Sequence, residues 1–271
     1  MSKFTTFFED AMKFTAVTCL MFGIALLLGL APLRAADAPA KELSLDLGGG
    51  VKLDLVLIPA GKFMMGSAKP GQSPAHEITI TQPFYMSKFL VTQAQFQQIT
   101  GGNPSKYKNS KDNPVETVGW ELAQTFCKKA SDHTKSTVTL PTEAQWEYAC
   151  RAGTTTAFNT GDTDADLEKA GWYSTNAQGT THPCGSKAPN AWGLYDMHGN
   201  VWEWCSDWFG DDYYAKSPAQ DPTGPEQGQL RVMRGGALDT PAGCCASAYR
   251  YSFEPARKFD NMGFRVVVAV K

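Results

Sequence analysis

Short runs of alternating hydrophobic and polar residues lie towards both ends of the chain and indicate β-strands. Val51–Gly66 alternates on both sides of a Pro–Ala–Gly turn, which predicts a β-hairpin. Further strands are predicted at His76–Thr81, Pro83–Lys88, Leu230–Arg234 and Phe264–Val270. The last of these is almost continuously apolar, a pattern typical of a strand that is buried on both faces.

Three other segments have the 3.6-residue period of an amphipathic helix. Val91–Thr100 has Thr92 in position to cap its first turn, and Trp120–Ser131 has apolar residues at positions i, i+4 and i+8. A third helix is predicted to begin after Thr142, another favourable N-cap residue. Beyond it, Gly153–Gly199 shows few periodic signals, so we expect a long irregular segment.

The N-terminus has the layout of a secretory signal peptide. Lys3 and Lys13 precede an apolar run at Phe14–Leu30, and a small residue suited to cleavage follows at Ala35. Residues 1–35 are therefore interpreted as a signal peptide. An uncleaved membrane anchor is the alternative, because the run is nearly long enough to span a bilayer. We expect a periplasmic or secreted protein that meets a membrane only through an uncleaved N-terminus.

Composition and charge exclude some classes of partner and leave others open. The 271 residues are 42% hydrophobic, enough to form the core of one large domain or two small ones, and the net charge of −2 argues against a nucleic-acid partner. The four histidines lack the spacing of a helical zinc site. Six cysteines follow the apolar run, an even number compatible with disulfides, at Cys127, Cys150, Cys184, Cys205, Cys244 and Cys245.

Gly193–Trp208 is the stretch around which the chain is organised, and reads G-L-Y-D-M-H-G-N-V-W-E-W-C-S-D-W. Aromatic residues at this density bury large areas and are typical of a core. The carboxylates of Asp196 and Glu203 flank a turn at Gly199, an arrangement that suits the all-oxygen shell of a calcium ion. A buried aromatic hairpin with acidic residues at its ends is the alternative interpretation.

Six motifs in a fixed order resemble the formylglycine-generating enzyme, or sulfatase-modifying factor, family. The motifs are L-I-P-A-G-K-F-M-M-G-S, N-P-V-E-T-V-G-W, L-P-T-E-A-Q-W-E-Y-A-C-R, G-L-Y-D-M-H-G-N-V-W-E-W, R-V-M-R-G-G and N-M-G-F-R-V. The resemblance covers residues 51–271, which we interpret as one domain after a polar linker at residues 36–50. It implies an α+β fold with C-type-lectin-like topology and little regular secondary structure.

The resemblance also implies a structural calcium ion near the central turn. Its ligands would be the side chains of Asp196 and Glu203 and the backbone carbonyls of Gly199 and Val201. Asp196 stands where enzymes of this family have asparagine, and either side chain offers an oxygen ligand.

Enzymes of this family oxidise a cysteine of a client sulfatase to formylglycine, using oxygen and a copper(I) ion held by two thiolates. Those cysteines occupy the fourth and ninth positions after the second glycine of an R-G-G-S signature. Here the ninth residue is Cys245, but the fourth is Thr240, whose hydroxyl is a poor ligand for copper(I). The signature serine is replaced by Ala237. The copper pair is therefore incomplete, and sulfatase activation and a copper cofactor are doubtful.

The remaining thiols have two alternative interpretations. Cys244 would replace the missing copper ligand only if a strained turn aimed it at the same point as Cys245. Otherwise Cys244 takes part in a disulfide, for which Cys184 is a candidate. Cys127 and Cys150 are a second candidate pair, since the enzymes have cysteines near these positions.

Two functional classes follow from the resemblance. The first is an oxygen-dependent oxidoreductase of the formylglycine-generating type, acting on a protein or peptide such as a sulfatase-like client, or on a secreted metabolite that it matures. The second is a non-catalytic, lectin-like module that binds a protein or glycan partner. Trp202, Arg234 and Arg250 would line the substrate groove, with core packing and carboxylate pairing as the alternative for all three.

Overall fold

The computed structural model describes residues 40–270. The predicted signal peptide or anchor at residues 1–35 lies outside the described residues. Among residues 40–270, no helix is long and apolar enough to cross a membrane.

Short strands and few helices make up the described part of the chain. The strands are β1 (Glu42–Asp46), β2 (Lys52–Ile58), β3 (Gly61–Met65), β4 (His76–Ile80), β5 (Phe84–Ser87), β6 (Val138–Thr139), β7 (Trp202–Trp208), β8 (Arg231–Arg234), β9 (Tyr251–Phe253), β10 (Met262–Gly263) and β11 (Val267–Ala269). The α-helices are α1 (Gln93–Thr100), α2 (Trp120–Thr134), α3 (Glu143–Arg151) and α4 (Asp164–Ala170).

The larger sheet joins the beginning of the described chain to its end, in the order β1-β2-β5-β11-β6. Two sequence predictions need correction here. β2 and β3 do not form a hairpin with each other: β2 pairs with β1 and β5, whereas β3 pairs with β4. The predicted linker at residues 36–50 contains β1, which is an antiparallel strand paired with β2.

The second sheet has the order β10-β7-β8-β9 and positions the central stretch. Its strand β7 is covered on both faces, which explains why so many consecutive residues in it are buried. Trp202 and Trp204 pack into one hydrophobic cluster, whereas Cys205 packs into another. The aromatic density of the sequence thus reflects a strand that separates two cores.

All three predicted helices are present, and their caps explain where they begin. Thr92 and Thr142 each accept the backbone N–H of the third helical residue, and a glutamine there completes a capping box. The helix α2 extends to Thr134, slightly further than predicted. The sequence analysis missed α4, which lies within the segment predicted to be irregular and begins after Thr163 with its own capping box.

Candidate functional site

The turn before β7 is shaped by close backbone contacts. Gly199 has φ +122°, and a Cβ there would lie 2.1 Å from the carbonyl oxygen of Trp172. Asp196 and Asn200 also adopt left-handed conformations, with φ +56° and +68°. Only glycine fits at position 199 because the turn is pressed directly against the Trp172 backbone.

Asp196 is a buried carboxylate in this turn and makes no ion pair with another residue of the described range 40–270. Its Oδ2 accepts the N–H of Gly185 at 2.8 Å, and its Oδ1 lies 3.4 Å from the Asn200 side-chain nitrogen. Burial raises the pKa of Asp196 to about 6, although the Gly185 N–H and the charge of Arg265 act against it. A bound cation would favour the charged form of this group.

Glu203 lies on β7 and makes a buried ion pair with Arg265. Arg265 Nε donates to Oε2 at 2.6 Å and Nη2 donates to Oε1 at 3.1 Å, with both side chains fully buried. Burial raises the pKa of Glu203 even though Arg265 favours its ionised form. This bidentate geometry is the strongest form of a carboxylate–guanidinium contact.

Two of the predicted calcium ligands already have partners: Glu203 bonds Arg265, and the Gly199 carbonyl accepts the Val201 N–H at 2.9 Å. An ionised carboxylate has about four lone-pair sites, of which Arg265 uses two. Among residues 40–270, no three His, Cys, Asp or Glu side chains converge on one point, so most ligands would have to be backbone or amide oxygens. A calcium ion here would be held by Asp196, the carbonyls of Gly199 and Val201, and Glu203, which would share its oxygens with Arg265.

The copper ligands do not fit. Cys245 is fully buried, and the nearest hydroxyl to its sulfur is that of Thr240, with Oγ1 3.7 Å from Sγ. Burial raises the pKa of Cys245 to about 12, although the contact with Thr240 acts against it. A neutral, buried thiol beside a hydroxyl lacks the second soft ligand and the thiolate character that copper(I) requires.

Cys244 does not supply the missing ligand. Both cysteines lie in a 3₁₀ turn at Ala242–Cys245, where consecutive side chains point in different directions. Cys244 packs with Tyr249 against the first core cluster, whereas Cys245 packs with Phe158 in a separate cluster. The interpretation in which Cys244 rescues the copper pair is therefore not supported.

The predicted disulfides are not formed either. All six cysteines among residues 40–270 are free thiols. Cys127 belongs to the first core cluster and Cys150 to the second, which explains why the two do not meet. Cys184 is likewise not paired with Cys244; its sulfur contacts the Leu90 carbonyl instead, at 3.9 Å.

Arg234 and Arg250 lie in the interior and do not line a groove, which corrects their proposed role. Arg234 is fully buried and bonds Glu147, and its Nε lies 3.4 Å from Glu143. Arg250 makes a two-point contact with Glu143 at 2.6 and 2.8 Å. These two arginines hold the pKa of Glu143 below its usual value even though burial acts in the opposite direction. Carboxylate pairing, the alternative for both, is what the structure contains.

Trp202 is also buried, but it supports an exposed aromatic surface. Tyr251 stacks on it with ring centroids 4.9 Å apart, and Phe253 and Phe259 continue the row at 6.1 and 5.3 Å. Tyr251 and Phe259 are 38% and 43% exposed, two of the three large exposed hydrophobic residues in the described chain. We call Tyr249, Tyr251, Phe253 and Phe259 the aromatic surface. The sequence analysis missed it, although the alternation of Tyr249, Tyr251 and Phe253 was a usable signal.

His198, which lies in the central turn, has a structural role. The Asn159 N–H donates to Nε2 at 3.0 Å, so the ring proton lies on Nδ1, which donates to the Cys245 carbonyl at 2.8 Å. Burial lowers the pKa of His198 to about 4, so the ring is neutral at ordinary pH. The central turn thereby holds the backbone of Cys245 in place.

Comparison with known proteins agrees with this arrangement of elements. Residues 51–270 match the model of the sulfatase-modifying factor enzyme 1-like domain. The chain belongs to the sulfatase-modifying factor family. Its membership confirms the resemblance carried by the six motifs and the mixed α+β fold class predicted from them.

The proteins to which this chain is similar are named for different functions. It is 30% identical to the formylglycine-generating enzyme of Streptomyces coelicolor, with 78% of this chain and 87% of that protein covered. It is 32% identical to the serine/threonine-protein kinase pkn1 of Chlamydia caviae, with 80% of this chain covered but only 38% of the relative. Among solved structures, Treponema denticola variable protein 1 has a TM-score of 0.81, 28% identity, and coverage of 86% of this chain and 100% of its own. The family name therefore does not by itself assign an activity to this member.

Proposed function

We propose that this member of the family does not generate formylglycine and instead binds an extended segment of a protein partner on the aromatic surface. The observation that carries the proposal is the environment of Cys245. Its buried sulfur faces the hydroxyl of Thr240, and Cys244 packs elsewhere. The chemistry of the family needs two converging thiolates, and the described residues offer none.

The position of the aromatic surface supports a peptide as the partner. Strand β9 is at the edge of its sheet, where it pairs with β8. Along β9, Tyr251 and Phe253 are two residues apart and therefore point to the same side. A peptide added alongside this edge would gain main-chain hydrogen bonds, and its alternate side chains would contact the aromatic rings. Aromatic residues also contribute the largest share of binding energy at many protein interfaces.

A chemical assay tests the first half of the proposal. The purified mature protein is incubated with copper(I), oxygen and a cysteine-containing peptide of the sulfatase type, and the peptide is analysed by mass spectrometry. We expect no aldehyde, whereas the Streptomyces coelicolor enzyme serves as the positive control. Aldehyde formation by this protein would overturn the proposal and would favour the alternative, an oxygen-dependent oxidoreductase of the formylglycine-generating type.

A binding assay tests the second half. A phage-displayed library of random linear peptides is selected on the wild-type protein, and enriched peptides are titrated against Tyr251→Ala and Phe259→Ala. We expect each substitution to weaken binding by about tenfold, as for an aromatic anchor of an interface. Met64→Ala is the matched control, since Met64 is 49% exposed and lies outside the aromatic surface. Equal losses in all three variants, or ligands found only on a glycan array, would contradict a peptide partner.

We also propose that a calcium ion stabilises the central turn and that the protein is exported. The unpaired buried carboxylate of Asp196 supports the first point. The basic and apolar sequence of residues 1–35 supports a periplasmic or secreted location. N-terminal sequencing of the protein from its native cells tests export, because a mature chain that starts near residue 36 requires cleavage.

A further inference from the structure

A cavity of about 300 Å³ opens between the loop after β3, the segment that follows α3 and the residues after Cys245. We call it the Arg151 cavity. Its lining residues include Met64, Lys69, Gln72, Arg151, Asp162 and Ala248. The volume lies at the lower end of the range of about 300–1,000 Å³ found for small-molecule sites, so a ligand must be small.

Arg151 ends a row of buried ion pairs in which positive charges outnumber negative ones. Its Nη2 lies 2.8 Å from Glu147, and Glu147 is shared with Arg234. Arg234 in turn shares Glu143 with Arg250. Three guanidinium groups therefore share two carboxylates. One guanidinium charge is therefore unmatched within these pairs. An unmatched charge in the interior is unfavourable unless an anion or water compensates it.

Asp207 lies near the other end of the row, where it accepts the backbone N–H of Glu143 at 3.0 Å. Burial raises its pKa to about 7, so it offsets the charge of Arg250 only in part. Arg151 contacts Glu147 and the Gly66 and Thr156 carbonyls, and it is the member of the row that lines the cavity.

Two further residues with donor groups, Gln72 and Lys69, line the same space. Gln72 is more than nine-tenths buried; its Oε1 accepts the Ser67 hydroxyl at 2.8 Å, but its side-chain nitrogen bonds no residue of the described chain. Lys69 stands at the rim and makes no ion pair within residues 40–270. A guanidinium, an amide N–H and an ammonium together match the acceptor oxygens of an anionic group.

Apart from Asp162 and Met64, the rest of the lining is made of small residues, of which Ser67, Thr155 and Thr156 carry hydroxyl groups and the others are apolar. Ala157, Ala246 and Ala248 form part of the wall, and the exposed thioether of Met64 lies at the edge. The one acidic side chain, Asp162, accepts the backbone N–H of Ala157 at 2.8 Å. An anionic head would therefore meet the donors while a short hydrocarbon chain contacts the alanines.

We propose that the Arg151 cavity binds the carboxylate of a small organic acid that has a short aliphatic chain. The carboxylate lies among Arg151, Gln72 and Lys69, and the chain lies along Ala246 and Ala248 towards Met64. This site is separate from the aromatic surface and does not depend on the function proposed for it.

Isothermal titration of the full mature protein with hexanoate tests the proposal, with hexanamide as the neutral analogue of nearly equal shape. We expect hexanoate to bind in the millimolar range and hexanamide about tenfold more weakly, since a charge-assisted hydrogen bond is lost. Lys69→Gln should weaken hexanoate binding about threefold, as expected for an exposed ionic contact. Gln72→Glu, which places a carboxylate beside that of the ligand, should weaken it about tenfold or more.

Lys108→Gln is the matched control, because Lys108 is exposed and lies outside the cavity. It should leave hexanoate binding unchanged. Thermal unfolding of each variant verifies folding, and Lys69→Gln decides the outcome if Gln72→Glu fails to fold. Equal binding of hexanamide, equal binding of inorganic phosphate, or an unchanged affinity in Lys69→Gln would overturn the proposal.

Discussion

The hydroxyl oxygen of Thr240 lies 3.7 Å from the buried sulfur of Cys245. A side chain at position 240 therefore already points at the thiol that the family uses for copper. Thr240→Cys should create two converging thiols and a tight copper(I) site, measured by competition with a chromogenic chelator. Thr134→Cys, which places a new thiol in the partly buried α2 position, should not gain such a site. Unchanged copper affinity in Thr240→Cys would show that more than the missing thiol separates this protein from the enzymes.

The Glu203–Arg265 pair should be essential for stability because both side chains are completely buried. Glu203→Gln removes one charge and leaves the guanidinium unmatched, so we expect a loss of about 3–5 kcal/mol in the free energy of unfolding. Urea denaturation measures the change. Glu254→Gln is the control: it breaks an exposed pair with Arg257 and should cost at most about 1 kcal/mol. A small loss at Glu203 would mean that water reaches the pair.

Asp207 should make stability depend on pH. Burial, reinforced by the negative charge of Glu143, raises its pKa from 3.8 to about 7. The folded protein then holds a proton that the unfolded chain releases, so Asp207 lowers stability as pH rises from about 4 to about 7. Asp207→Asn should flatten this fall in urea denaturation across that interval. Asp211→Asn, at an exposed position just after β7, should leave the pH dependence as in the wild type.

A cluster of three phenylalanines should contribute strongly to folding. Phe126 stacks on Phe96 with centroids 5.7 Å apart and meets the edge of Phe264 at 5.4 Å, joining α1, α2 and the segment before β11. Phe126→Ala should lower the free energy of unfolding by about 3–5 kcal/mol because it removes buried area and leaves a cavity. Chemical denaturation gives the value, and Met64→Ala at the surface should change little.

Calcium should stabilise the protein through Asp196 if the proposed ion is present. Adding calcium to chelator-treated protein should raise the melting temperature, and Asp196→Ala should abolish that increase. Asp162→Ala, at an exposed carboxylate elsewhere, should respond to calcium as the wild type does. A melting temperature that is independent of calcium would contradict the proposed ion.

The local signals in the sequence predicted the helices well and the strand pairing poorly. Thr92 and Thr142 cap helices through contacts within three residues, which a sequence pattern records directly. One of the two partners of β2 is β5, about 30 residues further on, and no turn signal specifies this pairing. The Pro–Ala–Gly turn after β2 suggested a hairpin, but the chain uses it to move from one sheet to another.

Those features of the candidate site that depend only on residue identity were predictable from the sequence. Thr240 at the position of a copper ligand was visible in the sequence, and the structure adds that Cys245 is buried beside it. The direction of Cys244 was not predictable, because it depends on a 3₁₀ turn of only four residues. The sequence also left open whether Arg234 faces a groove or a carboxylate, since burial arises from contacts with residues nearly 90 positions away.

Strand β7 separates two cores, and this limits which mutations the family can accept there. Along β7, Trp202 and Trp204 face one core, whereas Glu203 and Cys205 face the other. Inserting or deleting one residue would reverse every side chain after that point, moving carboxylates into the aromatic core and indoles onto the buried arginines. A substitution in β7 alters the contacts of one side chain, whereas a change of length displaces every later side chain at once and should be lethal to the fold. Variation in length should accumulate in the loops, where the surfaces that contact partners also lie.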